Sequence, residues 1–175
     1  MRNHEWSDLH EVIVATAGSL FSSVGIRANY CGIVPHGQAP WSGMVAVIGL
    51  GGSKLRGTLV LSMSDELLLR SHPARGACDA DLADWLSEQA NLLLGRIKAR
   101  LLAHDVVVEL STPLCVAAAE FRLMRFGSTP CVHRYDCEGR DILVAFESVA
   151  GEGTGLLVPA RADAVVIEAG EVLMF

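Results

Sequence analysis

The same succession of elements runs twice along this chain: a long amphipathic helix, a short strand stopped by a proline, a loop and a hairpin. In the first run, Leu9, Ile13, Ala17, Leu20 and Phe21 recur at helical spacing. They predict a helix over residues 8–21, which Ser7 or Asp8 could cap. A strand over 29–34 ends at Pro35, and HGQAPWSG reads as a loop by its glycine and proline content. Residues 44–50 and 57–63 are β-rich runs joined by GGSKLRG and predict an antiparallel hairpin. Within it Val45, Val47, Leu59 and Leu61 alternate as in a half-buried sheet. Ser64 then caps a predicted helix over 65–71.

The second run follows the linker HPARGACDA. Asp79 or Asp81 opens the longest predicted helix, which reaches about residue 103. A strand over 106–110 is broken by Ser111-Thr112-Pro113. A further hairpin is predicted from 115–124 and 132–135, turning at CEGR into 141–147. The two helices align, with Glu11 and Glu88 as far apart as Gly18 and Gly95, at 77 residues. The hairpin segments GTLVLSMS from Gly57 and DILVAFES from Asp141 align as well. One sequence can produce such an echo by chance. A duplication would give an α/β (α+β) fold with two halves, about 8–71 and 79–148, related by a pseudo-two-fold axis within a single domain spanning 1–175. Their strands would join in one mostly antiparallel sheet with the long helices packed on it. The tail 155–175 holds strand-like runs after GEGTG, outside either half.

Composition narrows the function classes. With 175 residues, of which 51% are hydrophobic and 19% charged, the chain can build a substantial core. A net charge of −6 disfavours nucleic acid as a partner, and the basic cluster Arg96, Lys98, Arg100 reads as a solvated helix face. Five cysteines, at 31, 78, 115, 131 and 137, include no C-x-x-C pair and no zinc spacing. They read as small buried apolar side chains in a reducing cytosol, although Cys131 and Cys137 flank one predicted strand and could lie near each other. The six histidines are dispersed, so neither a metal nor a cofactor is expected on this chain. The segment G-L-G-G-S-K at 49–54 lacks the phosphate-loop pattern and is followed by a strand, so it reads as a hairpin turn. A polar N-terminus and the lack of an apolar run of ~18 residues argue against a membrane segment and for the cytoplasm.

The chemistry-bearing feature is D-W-L-S-E-Q-A-N-L-L-L-G-R-I-K, residues 84–98. On a helix, Leu82, Leu86, Ala90, Leu93, Leu94, Ile97 and Leu101 form one apolar stripe. Glu88, Asn91, Gly95 and Lys98 fall on the other side. Residues three apart are neighbours on a helix surface, so Glu88 and Asn91 present a carboxylate beside a carboxamide. Asn and Gly both cost helix stability, about 1 kcal/mol for Gly relative to Ala. A face that accepts this cost can serve docking, but E-x-x-N is also common on solvated helices.

The run E-Q-A-N-L-L-L-G-R-I-K-A-R-L followed by V-V-E-L-S-T-P resembles the signature of the CheX-like and CheC-like chemotaxis phosphatases: a helix carrying E-x-x-N-x-x-x-G before a strand that ends in a Ser-x-Pro turn. The hairpin V-A-V-I-G-L-G-G-S-K-L-R-G-T-L-V-L-S-M-S resembles the hairpin of that family's first half, and the likeness covers roughly 8–148. The resemblance implies a phosphatase of a phosphorylated CheY-like receiver domain, with Mg²⁺ held by the receiver. It implies that Asn91 orients the attacking water and Glu88 pairs with the receiver's lysine, with Gly95 and Lys98 in the docking surface. CheC-like members carry two such sites and CheX-like members one. Here Glu11 matches Glu88 but Val14 stands where Asn91 would be, which implies a degenerate first site and one working site. A non-catalytic module of the same fold, like flagellar-switch components, is the alternative. A homodimer through sheet edges is compatible with either.

Overall fold

The computed structural model describes residues 3–41, 43–118 and 131–150. Both long helices are present, α1 at Asn3–Ser23 and α3 at Asp79–Leu102. α1 starts ahead of Ser7 and Asp8, so neither caps it. The first strands are β1 (Asn29–Val34), β2 (Gly43–Gly51) and β3 (Leu55–Met63), followed by the short helix α2 (Asp65–Ser71). Ser64 is extended and its Oγ accepts from the Leu67 N–H at 3.4 Å, closing the first turn of α2 as predicted. α3 is closed by Asp81, whose Oδ2 accepts from the Cys78 N–H at 2.8 Å. That bonding to Cys78 holds the Asp81 carboxyl below its ordinary range. After α3 come β4 (Glu109–Leu110), β5 (Leu114–Ala118), β6 (Cys131–Cys137) and β7 (Arg140–Ala150).

The seven strands form one antiparallel sheet in the order β1-β6-β7-β3-β2-β4, with β5 also paired to β2. Exchanging the first-half strands with their second-half counterparts reverses this order onto itself. The register agrees. At the centre of the β3–β7 pair Val60 faces Ala145 and Leu61 faces Val144. The alignment that carries Val60 onto Val144 and Leu61 onto Ala145 therefore exchanges the members of these pairs, as a two-fold axis requires. The helices obey the same alignment. Leu9, Ile13, Thr16, Ala17 and Leu20 of α1 are buried, and so are Leu86, Ala90, Leu93, Leu94 and Ile97 of α3.

Each half lends its first strand to the other half's hairpin. This corrects the predicted pairing of residues 115–124 with 132–135: β5 lies on β2, whereas β6 lies between β1 and β7. Local sequence favours a hairpin between neighbours, but the swapped arrangement adds a strand to the outer side of each hairpin. Residues 119–130 and the predicted tail strands lie outside the described residues. The predicted strand 106–110 shortens to Glu109–Leu110, while Val106 and Val108 are buried in the main core without joining the ladder. At the break after β4, Ser111 stands in for a ladder residue. Its N–H donates to the Gly49 carbonyl and its Oγ accepts from the Gly49 N–H, both at 2.9 Å.

The main core lies between the helices and one sheet face, where Leu55, Leu59, Leu61, Ile142, Val144 and Tyr135 meet Leu86, Leu94 and Ile97. A smaller cluster of Trp41, Val45, Val60, Val132, Leu143 and Ala145 occupies the opposite face. The half-buried sheet expected from alternation is thus overturned. Val45 lies opposite Ser62 and Ala46 opposite Leu61, so the valines and the leucines point to different faces, and both faces are covered. Gly57 shows how tight the central pair is. A Cβ there would meet the Glu147 carbonyl oxygen and lie 3.0 Å from the Ser148 Cα. Gly57→Ala is expected to destabilise the protein by about 1–3 kcal/mol, read as a lower urea midpoint at unchanged slope.

All five cysteines are free, and Cys131 and Cys137 sit at opposite ends of β6, about 20 Å apart at ~3.3 Å per residue. The CEGR turn is a tight hairpin turn with Glu138 and Gly139 at positive φ. Arg70–Glu138, at 2.7 Å, and Arg140–Glu66 tie this turn to α2. Among the described residues, no helix is long and apolar enough to cross a membrane.

Candidate functional site

α3 presents three different sides. Its sheet-facing side is apolar and packs on β2, β3 and β5. One flank reaches the other helices: Trp85 Nε1 donates to Ser71 Oγ at the end of α2, at 3.0 Å, and Arg96 Nη2 donates to Ser23 Oγ at the end of α1, at 3.4 Å. The outer side carries Glu88, Asn91 and Lys98, all exposed, with Gly95 half-buried among them. Glu88 and Asn91 make no hydrogen bond or ion pair with the described residues, so both side chains are available to a partner. Leu92, at 38% exposure, borders the pair and adds an apolar contact to an otherwise polar face.

Gly95 is not required by the fold. A Cβ there would meet nothing within 4 Å, and the helix backbone is regular. Its equivalent in α1, Gly18, is equally unobstructed. In the first half Glu11 is exposed and Val14 half-buried, on a different helix from Glu88 and Asn91. Val14 has no donor or acceptor beyond its backbone, so it cannot orient water.

A second polar constellation escaped the sequence analysis. His10 of α1 and His133 of β6 lie together: His10 Nδ1 and His133 Nε2 are hydrogen-bonded at 3.2 Å. The Tyr30 hydroxyl bonds His133 Nδ1 at 3.1 Å, and Cys131 Sγ lies 3.5 Å from His10 Nε2. Burial lowers the pKa of His10, and burial together with the neighbouring His10 pushes His133 down to about 4. Burial pushes the Cys131 thiol and the Tyr30 phenol up. The chain of four is therefore neutral near pH 7. Only the β1–β6 register, with Ile33 opposite His133, brings these residues together, and no local sequence signal reports it. His10 turns its two nitrogens to two different neighbours. Among the described residues, no group of three or more His, Cys, Asp or Glu side chains is arranged to hold a metal ion.

The turn at G-L-G-G-S-K joins β2 to β3 and is a hairpin turn, as expected. It lines a shallow cleft with Arg56, Val107 and Glu109.

Comparison with known proteins places the fold and the family. The chain shares its fold with the chemotaxis protein CheX of Vibrio vulnificus, with a TM-score of 0.73, 12% identity, and coverage of 81% of this chain and 99% of that one. It also matches CheX of Desulfovibrio desulfuricans, at TM-score 0.70 and 14% identity over 81% of this chain and 99% of that one. A third match is the CheX–CheY–BeF₃–Mg²⁺ complex of Borrelia burgdorferi, at TM-score 0.67 and 18% identity over 79% of this chain and 96% of that one. No functionally curated protein matches the chain by sequence. The family model of the chemotaxis phosphatase CheX matches residues 44–135, a span of more than half the chain that includes Glu88, Asn91, Gly95 and Lys98. The chain belongs to the CheX family of chemotaxis phosphatases.

Proposed function

We propose that this protein dephosphorylates the aspartyl phosphate of a CheY-like receiver, using the outer face of α3 as a single active site. The observation that carries the reading is the pair Glu88 and Asn91, exposed and unpartnered on one helix face beside an unobstructed Gly95, in a chain of this family. The receiver brings its own Mg²⁺ and lysine to the acyl phosphate. The transition state of phosphoryl transfer is loose, so what this chain must supply is placement of the water in line. The Asn91 carboxamide oxygen accepts from that water while its NH₂ donates to a second group, which fixes the water's orientation. Glu88 pairs with the receiver's lysine and sets the docking register, and Lys98 lies at the edge of the same surface. No general base on this chain is needed. A relative's co-structure with CheY supports the choice of partner.

The test is the decay of a phosphorylated receiver with and without this protein. Acceleration supports the reading. Tight binding without acceleration would instead assign a non-catalytic module of the same fold. Gly95 provides a prediction in which stability and function move in opposite directions. Gly95→Ala has room for its methyl group and gains about 0.5–1 kcal/mol of helix stability. The same methyl group would hold the receiver away from the helix, so the KM for phosphorylated receiver is expected to rise. A more stable variant with unchanged KM would remove Gly95 from the docking surface.

A further inference from the structure

Gln89 is the one polar residue among the buried residues of α3. It is 1% exposed, and neither its Oε1 nor its Nε2 has a hydrogen-bond partner among the described residues. A buried amide with both ends unpaired is costly, and native structures contain few. Gln89 lies on the flank that also carries Trp85 and Arg96, the side turned to α1 and α2. The Arg96 Nε on that flank is likewise buried and unpaired. The seam between α3 and the other helices is therefore where its packing is least satisfied, whereas the buried residues turned to the sheet are apolar.

The repeat supplies an internal control. In α1 the residue aligned with Gln89 is Val12, apolar and packed against the main core. The half with Val14 in place of the asparagine also has an apolar residue in the seam. The half with Asn91 has the unpaired amide. Within α3 the two residues are linked geometrically. At about 100° per residue, Gln89 and Asn91 stand about 200° apart, on nearly opposite sides of the helix. A helix is about 10–12 Å across, so a roll of about 10° moves groups on its outer side by about 1 Å. A displacement of that size can cost about 100-fold in a reaction that depends on placement.

We infer that Gln89 is a positioning residue that sets the roll of α3 on its neighbours and so places the Asn91 carboxamide. This rests on the reading of Asn91 as the water-orienting group. The amide keeps the seam from settling as an apolar contact would, and so leaves α3 in the roll that docking requires.

The test uses the full chain with Gln89→Met, which keeps the side-chain volume and removes the unpaired groups, and Gln89→Asn, which keeps the amide. Gln89→Met is expected to raise Tm by a few degrees. It should lower kcat for phosphorylated receiver about tenfold with KM unchanged, and shift the backbone amide resonances of residues 88–95. Gln89→Asn should retain more of kcat than Gln89→Met although it is less stable, an order that a purely structural role would not produce. A Gln89→Met protein with higher Tm but wild-type kcat would overturn the inference while leaving the phosphatase reading intact. Lower Tm in Gln89→Met, or unmoved amide resonances, would overturn it on structural grounds alone. Failure of the wild-type protein to accelerate receiver decay would sink the phosphatase reading and, with it, the positioning role.

Discussion

In an Asn91→Ala variant, the phosphorylated receiver is expected to decay at its intrinsic rate, a loss of about 100-fold or more relative to the wild-type protein. In the proposed mechanism the carboxamide both accepts from the attacking water and donates to its surroundings, and alanine offers neither. The fold should be untouched. Asn91 is exposed and makes no bond to the described residues, and alanine is the better helix former by several tenths of a kcal/mol. Tm should therefore stay level or rise slightly, which separates loss of chemistry from loss of structure. Glu88→Ala should differ in kind, raising KM because the docking pair is broken. Placing asparagine at Val14 gives a converse: if α1 still presents a usable face beside Glu11 and Gly18, Val14→Asn should restore measurable acceleration in an Asn91→Ala background. Full activity in Asn91→Ala would remove the water-positioning mechanism altogether.

Acid should weaken this protein through His133. In the folded state its pKa falls from 6.5 to about 4, through burial first and the neighbouring His10 second. Between these values the unfolded chain binds the proton and the folded chain does not, so stability rises with pH across that window. The contribution is complete above pH 6.5 and is lost progressively as pH falls toward 4. A shift of this size corresponds to about 3 kcal/mol. Carboxylates such as Glu138, held low chiefly by its hydrogen bond to Arg70, also lose stabilisation on acidification, so a comparison with a variant is required. In His133→Gln the neutral side chain does not titrate. Its urea midpoint should fall less steeply between pH 6.5 and 4 than that of the wild-type protein. Parallel curves would show that the imidazole contributes nothing to the acid response.

How much of this was legible in the sequence follows from range. The long helices, the Ser64 cap and the β2–β3 hairpin are local, written in period, turn residues and capping, and they appear where expected except that α1 begins earlier, at Asn3. The exposure of Glu88 and Asn91 also follows from helical phase, since an apolar stripe on one side leaves the other to solvent. Whether β5 joins β6 or β2 depends instead on which distant edge is available, and neighbouring residues do not encode that. The His10–His133 contact spans 123 residues and exists only because the swapped sheet sets β6 beside β1. The identity of Gln89 was visible, but its lack of a hydrogen-bond partner among the described residues was not. A polar residue within the helical pattern says nothing about which groups surround it.

The exchange of first strands has a consequence for how the two halves can be inherited. The half that carries Glu88 and Asn91 does not own the whole of its sheet. Its β6–β7 hairpin is flanked by β1 and β3, and its own β5 lies on β2. Cutting the chain at the linker between α2 and α3 would strip both fragments of strand partners and leave unpaired edges on each. If Asn91 marks the one working site, as proposed, the first half is still not dispensable, because the helix that carries Asn91 stands on a platform that only the pair of halves can build. The first half is therefore held in place by backbone pairing, which leaves its surface side chains free to diverge.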